Sequence, residues 1–356
     1  MKSGYDIQMN TRITFIDSLR GIAAICVMSH HYLIAGISNV IFVSERFDLG
    51  IFGVSVFFIC SGFVISASID KNGDLRHFWV RRFFRIYPLY WVNIGIWLCL
   101  IYILRMGKFN DMSFEAHPVS AVLANMTLLQ KFWGVDYLVP LYWTLSMEIV
   151  FYIIFSVLHK IGTLRHTVLI ALFFLGAGII VDGLIPIFYG PHDIKLFSYL
   201  GMMFMGMVFY RAYTGEVGRK IVIYLLILAW VMEILTYLRY DAGTENAFVG
   251  VGMLTAHVGA YIFFAAALKT RGQKPSAFIS YVGLISYSVY LMHLVVLSLI
   301  PKVGSGLTAI PIWIAVSIAL SSITYFCIER PGIKLGRKIT SRLSMKEADA
   351  LPVIIN

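Results

Sequence analysis

Near the start of the chain Asp17, Arg20 and His31 stand in an otherwise apolar run. Arg20 and His31 are eleven residues apart, about three helical turns, so a helix places them on nearly one face and about 16 Å apart along its axis. A neutral imidazole at that depth suits general-base work on a hydroxyl, against the plainer role of a hydrogen bond to a neighbouring helix. His30 points about 100° away from His31. A second cluster, Arg76, Arg81, Arg82 and Arg85 before Pro88, puts Arg82 and Arg85 at i,i+3, where the two side chains project together. Their rigid donor forks suit phosphate, although a positive-inside anchor also explains three arginines. A third cluster, Trp143, Thr144, Ser146 and Glu148, offers a carboxylate that orients an imidazole, accepts a proton or holds acceptor hydroxyls. Its paired alternative is a carboxylate buried for packing. A fourth, Ser286, Tyr287, Tyr290 and His293, brings another imidazole with two tyrosines suited to packing and hydrogen bonding.

These residues must be held by apolar elements. Of 356 residues, 59% are apolar and only 13% charged, with mean hydropathy +0.80. A soluble chain is about 45–50% apolar and about a quarter charged. The expected fold is therefore an all-α integral membrane protein. Apolar runs matched to the roughly 20 residues of a crossing predict ten transmembrane helices near 21–40, 49–68, 86–104, 142–158, 167–184, 196–210, 221–238, 247–268, 278–300 and 307–327. Residues 121–130 are apolar but too short to cross, which predicts a re-entrant or interfacial helix. Glu148 is expected about 9 Å below the external surface.

With the N-terminus inside, 22 of the 29 lysines and arginines fall on cytoplasmic segments, which predicts that both termini are cytoplasmic. Residues 1–340 form a single membrane domain and 341–356 a short cytoplasmic tail. The net charge of +10 is accounted for by this asymmetry, without nucleic acid as a partner. Cys26, Cys60, Cys99 and Cys327 sit inside apolar runs and read as small packing residues. No phosphate-binding glycine loop, zinc-ligand spacing or Gly-x-Ser-x-Gly elbow occurs, so no metal is expected. Glu233 and His257 read as satisfied structural groups. The stretch 57–63, Phe-Phe-Ile-Cys-Ser-Gly-Phe, reads as close helix packing through small residues.

The chain resembles the integral-membrane acyltransferase family three, which includes O-antigen and exopolysaccharide O-acyltransferases. Five ordered blocks carry the resemblance: Arg20 with His31, residues 57–63, Arg81 to Pro88, Trp143 to Glu148, and Ser286 to His293. Glu-Arg-Pro at 329–331 also resembles the usual ending. Thr144 replaces a common serine and keeps the hydroxyl. The resemblance implies ten core helices, an acyl-coenzyme A donor arriving from the cytoplasm, and an acceptor near the far side. It places the catalytic histidine on His31 and the arginine pair on Arg82 and Arg85.

The resulting expectation is a multi-pass inner-membrane O-acyltransferase, with acetyl as the default group. Arg20, Arg82 and Arg85 hold the donor's phosphates, and His31 either takes a proton from the acceptor or carries the acyl group. Glu148 acts beside it, and Trp143, Ser146, Tyr287 and His293 contact the acceptor. No permanent cofactor is expected; acetyl-CoA or another acyl-CoA serves as donor substrate. Partners are a glycan or lipid-linked saccharide and membrane lipids, and a homo-oligomer is compatible with the sequence. The rival is a multispan transporter of a glycan or lipid-linked intermediate.

Overall fold

A computed structural model describes residues 14–37, 45–103, 117–186, 195–237, 247–269, 276–300 and 306–349. Among them every regular element is helical, as burial of backbone polar groups in hydrocarbon requires of a chain without a closed barrel. The helices are α1 (Thr14–Gly36), α2 (Leu49–Asn72), α3 (Leu75–Leu98), α4 (Pro118–Met126), α5 (Tyr142–Lys160) and α6 (Thr167–Gly178). Then follow α7 (Leu196–Thr214), α8 (Arg219–Tyr237), α9 (Ala247–Lys269), α10 (Ala277–Leu284), α11 (Ser286–Leu299), α12 (Gly306–Thr324) and α13 (Arg330–Asp349). π-Helical turns extend α3 over Cys99–Ile103, extend α6 over Ile179–Leu184, and join α12 to α13 over Tyr325–Glu329.

Among the described residues the ten apolar runs are helical, the ninth as two helices, but fewer meet the length and apolarity of a crossing. Among the described residues seven do, and the pair α10 and α11, bent by 78°, makes an eighth if counted as one. The two that fall short are α1, which carries Asp17 and Arg20, and α7, which lies in the interior with residues 200–209 all buried. The outer helices instead show apolar side chains outward: Phe173 is 66% and Tyr224 69% exposed. Such faces fit a hydrocarbon solvent, and the chain is a multi-pass membrane protein.

Two boundaries differ from the sequence expectation in ways that matter for the site. The third run begins as a helix at Leu75, not at residue 86, because Asp74 caps it by accepting from the Arg76 amide at 2.8 Å. Arg82 and Arg85 are thus interior helix positions, as their i,i+3 spacing requires. The segment after Glu329 is likewise a helix, α13, which continues through the expected 340/341 boundary and packs along α3. There Arg81 Nε donates to Thr340 at 3.3 Å, and Gly332 and Gly336 lie against Phe84. The last residues of that tail, 350–356, lie outside the described residues. The short apolar segment does form a helix, α4, tied to α3 by Tyr90 Oη donating to the Asn125 carbonyl at 2.7 Å.

Small residues set the closest crossings, as the Ser-Gly pair predicted. A side chain at Gly62 of α2 would overlap the Met203 carbonyl of α7, and one at Gly206 of α7 would overlap the Ile59 carbonyl in return. Glu233 is fully buried and satisfied, accepting from Ser198 Oγ at 2.9 and 3.0 Å and pairing with His257 at 2.8 Å.

Candidate active site

The rotation of α1 is fixed from two sides. Gly50 and Gly53 of α2 bring that helix against His30 and against Ala23 and Val27, while Gly21 meets the backbone of α10 at Ile279. With these contacts made, Arg20 faces a cavity between α1, α2, α3, α5 and α11. Arg82 and Arg85 of α3 line the same cavity, as do Glu148 and Tyr152 of α5, Ser61 of α2 and Tyr287 of α11. The three arginines singled out from the sequence therefore converge, although Arg20 is separated from the other two by most of three helices.

Arg82 is held by rings, and two carboxylates accompany the three arginines. The Arg82 guanidinium lies 5.6 Å from the Phe78 ring centre and 5.3 Å from that of Tyr152, within cation–π range. Among the described residues none of the three arginines forms an ion pair. Glu148 accepts hydrogen bonds from Ser61 Oγ at 2.9 Å and from Tyr152 Oη. Glu329, in the π-turn, accepts from Ser288 Oγ at 2.8 Å and lies in the field of Arg85 and Arg20. An arginine-rich cavity with its planar donor forks largely unspent is suited to a phosphorylated ligand.

His31 does not line this cavity; it is paired with His293, which lies against the lining residue Tyr290. The His31 Nδ1 lies 2.9 Å from the Val27 carbonyl and 3.3 Å from His293 Nε2, and the two rings are 5.0 Å apart. The Nδ1 of His293 lies 3.1 Å from the Val289 carbonyl. A carbonyl only accepts, so both Nδ1 atoms carry the proton. His293 then presents a bare Nε2 to the His31 Nδ1–H, which leaves the His31 Nε2 lone pair as the free base of the pair. His293 is fully buried, and Tyr32 donates to its backbone carbonyl at 2.9 Å. The wall between the pair and the cavity is Tyr290, whose ring lies 6.0 Å from that of His293 and whose hydroxyl meets Thr144 Oγ1 at 2.7 Å. His30 takes another direction, toward Asp48 at 3.4 Å.

The remaining sequence candidates divide. Tyr287 lines the cavity and donates to the Ile86 carbonyl at 2.8 Å. Trp143 and Ser146 do not line it: Trp143 packs between Phe58 and Tyr199, with ring centres 6.0 and 4.8 Å away, and Ser146 is buried toward Tyr137. Both sit on the faces of α5 that Glu148 does not share, which the two- and five-residue offsets already imply. Glu148 belongs with the arginines, and Ser61 and Tyr152 hold it there. Glu329, Ser61 and Tyr290 were not singled out for the site. Their signals were the Glu-Arg-Pro ending, the Ser-Gly pair and the Tyr-Leu-x-His block, each of which has an ordinary packing explanation.

Comparison with known proteins bears on the family. A family model described as an acyltransferase domain matches residues 13–328, from before Arg20 to one residue short of Glu329. The chain is 25% identical over 336 residues to a protein of Acidianus two-tailed virus provisionally named an acetyltransferase, covering 90% of this chain and 91% of that one. It is 24% identical over 320 residues to nodulation protein 10 of Rhizobium leguminosarum bv. viciae, covering 82% and 84%. It is 23% identical over 365 residues to a provisionally named O-acetyltransferase of Staphylococcus aureus strain COL, covering 91% of this chain and 58% of that longer one. No solved structure matches. With a match across this much of the sequence, the chain belongs to the integral-membrane acyltransferase family three.

Proposed function

We propose that this protein transfers an acetyl group from cytoplasmic acetyl-coenzyme A to a hydroxyl of a glycan or lipid-linked saccharide at the inner membrane. The observation that carries the reading is one arginine-lined cavity with a histidine pair on the other side of its Tyr290 wall. Arg20, Arg82 and Arg85 hold the donor's phosphates, and the pantetheine arm extends past Tyr290 toward His31. The Nε2 of His31 takes the acceptor hydroxyl proton as the oxygen attacks the thioester carbonyl carbon. The carbon–sulfur bond breaks, and the imidazolium returns its proton to the departing thiolate. His293 positions His31 by holding its tautomer. Glu148 and Glu329 buffer the arginines, and Tyr287 lines the path. Family membership and the relatives' names favour transfer over transport.

The direct test is release of free coenzyme A from labelled acetyl-coenzyme A by membranes carrying the protein, with transfer of label to purified surface glycan. Labelled glycan is expected only when His31 is intact. Alanine at Arg82 or Arg85 should weaken donor binding by about 1.5–3 kcal/mol each, roughly 10- to 150-fold, with a smaller loss for lysine because the fork is missing. Normal donor binding combined with lost expression would instead identify the arginines as a membrane anchor. The proposed topology has ten crossings and both termini cytoplasmic. Reporter fusions at Tyr5 and Asn356, which both lie outside the described residues, should report the cytoplasm; opposite sides would reject it.

A further inference from the structure

A second cavity shares Arg82 with the first. Four aromatic residues of α3, Trp79, Phe83, Tyr87 and Trp91, recur every fourth position and form one wall over about 18 Å of helix. Their rings make a ladder: Phe83 stacks on Tyr87 at 4.9 Å, and Tyr87 meets Trp91 at 5.4 Å. Met126, Thr127 and Ile149 complete the lining. Phe83 and Trp91 are 39% and 38% exposed, so the cavity is open on its outer side, where the rest of the molecule meets hydrocarbon.

The polar atoms of this groove are already spent on its own walls. Trp79 Nε1 donates to Ser156 at 3.0 Å, Tyr87 Oη to the Thr127 carbonyl at 3.0 Å, and Trp91 Nε1 to the Met126 carbonyl at 3.1 Å. Thr127 Oγ1 donates to the Ala124 carbonyl at 2.6 Å. A saccharide needs several hydrogen-bonding partners, and the groove offers it ring faces and one guanidinium. A hydrocarbon chain asks for ring faces only. Arg82 is the residue common to both cavities, and its five N–H donors lie on separate edges of one plane.

We propose that this groove is the lateral entrance for a lipid phosphate that carries the acceptor, its isoprenoid or other single hydrocarbon chain lying along the aromatic ladder. Its phosphate meets Arg82, the residue this groove shares with the cavity assigned above to the donor. The proposal rests on that assignment only for the orientation of the head group; the chain site stands on its own contacts.

The test uses the full chain in phosphatidylcholine nanodiscs and a diazirine-tagged farnesyl phosphate, with cross-linked peptides mapped. Label is expected on peptides containing residues 79–91 or 126–149, displaced by farnesyl phosphate and not by equal farnesol or phosphatidylglycerol. Phe83→Ala and Trp91→Ala should each weaken labelling about tenfold through lost apolar contact, and Met126→Trp should block it by filling the groove. The competition on the unaltered protein needs no variant to fold. Equal displacement by phosphatidylglycerol would make the occupant an ordinary membrane lipid, and equal displacement by farnesol would remove Arg82 from the site; either overturns the proposal, as does label elsewhere. Acetyl-coenzyme A binding is measured on the same sample. Labelling without donor binding would sink the transfer reading and keep the groove, and donor binding without labelling would do the reverse.

Discussion

His31→Gln should leave the protein at wild-type abundance and remove acetyl transfer, by at least the 10²–10⁴-fold commonly lost with a general base. Glutamine keeps a polar group near the Val27 carbonyl and the His293 ring but has no basic nitrogen to replace Nε2. The effect should fall on kcat, with the affinity for acetyl-coenzyme A nearly unchanged, since the arginines are a separate set of residues. His30→Ala should be mild because that ring faces Asp48. His293→Asn should be intermediate, since the partner that fixes the His31 tautomer is gone. The acid limb itself follows from protonation of the base, so the rate should fall as pH drops. The measurement is labelled transfer on quantified, detergent-extracted protein; a well-folded His31→Gln variant with wild-type turnover would move the base elsewhere.

Gly62→Val should prevent accumulation of folded protein. The added branch overlaps the Met203 carbonyl, a backbone atom in the middle of α7, and Gly206 makes the reciprocal approach on Ile59. Neither neighbour is a flexible side-chain end, so relief requires separating two helices whose facing residues are almost all buried. Overpacking usually costs about 1–3 kcal/mol, and a clash of backbone on backbone should exceed that, enough to unfold a marginally stable bundle. Because α2 also supplies Val54, Phe57, Ser61 and Val64 to the cavity wall, any residual protein should bind donor poorly. Extracted yield and thermal aggregation temperature report the outcome. Gly95→Val, where nothing lies within 4 Å of an added Cβ, is the matched control and should be tolerated.

Local spacing made much of this legible. The apolar runs gave the helices, and i,i+3 placed Arg82 beside Arg85. Small residues announced the α2–α7 crossing. The Arg20–His31 relation was partly legible: the two share a helix and a general direction, yet Arg20 enters the cavity while His31 lies past the Tyr290 wall. Spacing along one helix cannot show such a partition, because the wall comes from α11. The His31–His293 pair was illegible for the same reason, since 262 positions separate its members. That Glu148 faces the arginines was illegible too, because Ser61 and the arginines come from other helices. What draws it toward the arginines is contact with Ser61 and Tyr152. The aromatic stripe from Trp79 to Trp91 was present as a simple four-residue repeat, hidden by the arginines interleaved with it.

The position of Glu329 has a consequence for how the protein is made. An arginine that enters hydrocarbon unaccompanied is costly, and Arg20, Arg82 and Arg85 all belong to the first half of the chain. Glu148 follows on α5, but Glu329 is borne by the final apolar helix, at the turn that leads into α13 along α3. During synthesis three cations therefore wait on one carboxylate until the last segment docks. Early intermediates should favour arrangements in which Arg82 and Arg85 stay near the headgroups, and closure by the last helix would draw them into place. Assembly of the charged cavity then becomes a late checkpoint. Chains truncated before residue 307 should be degraded in the membrane even though most of their helices are already complete.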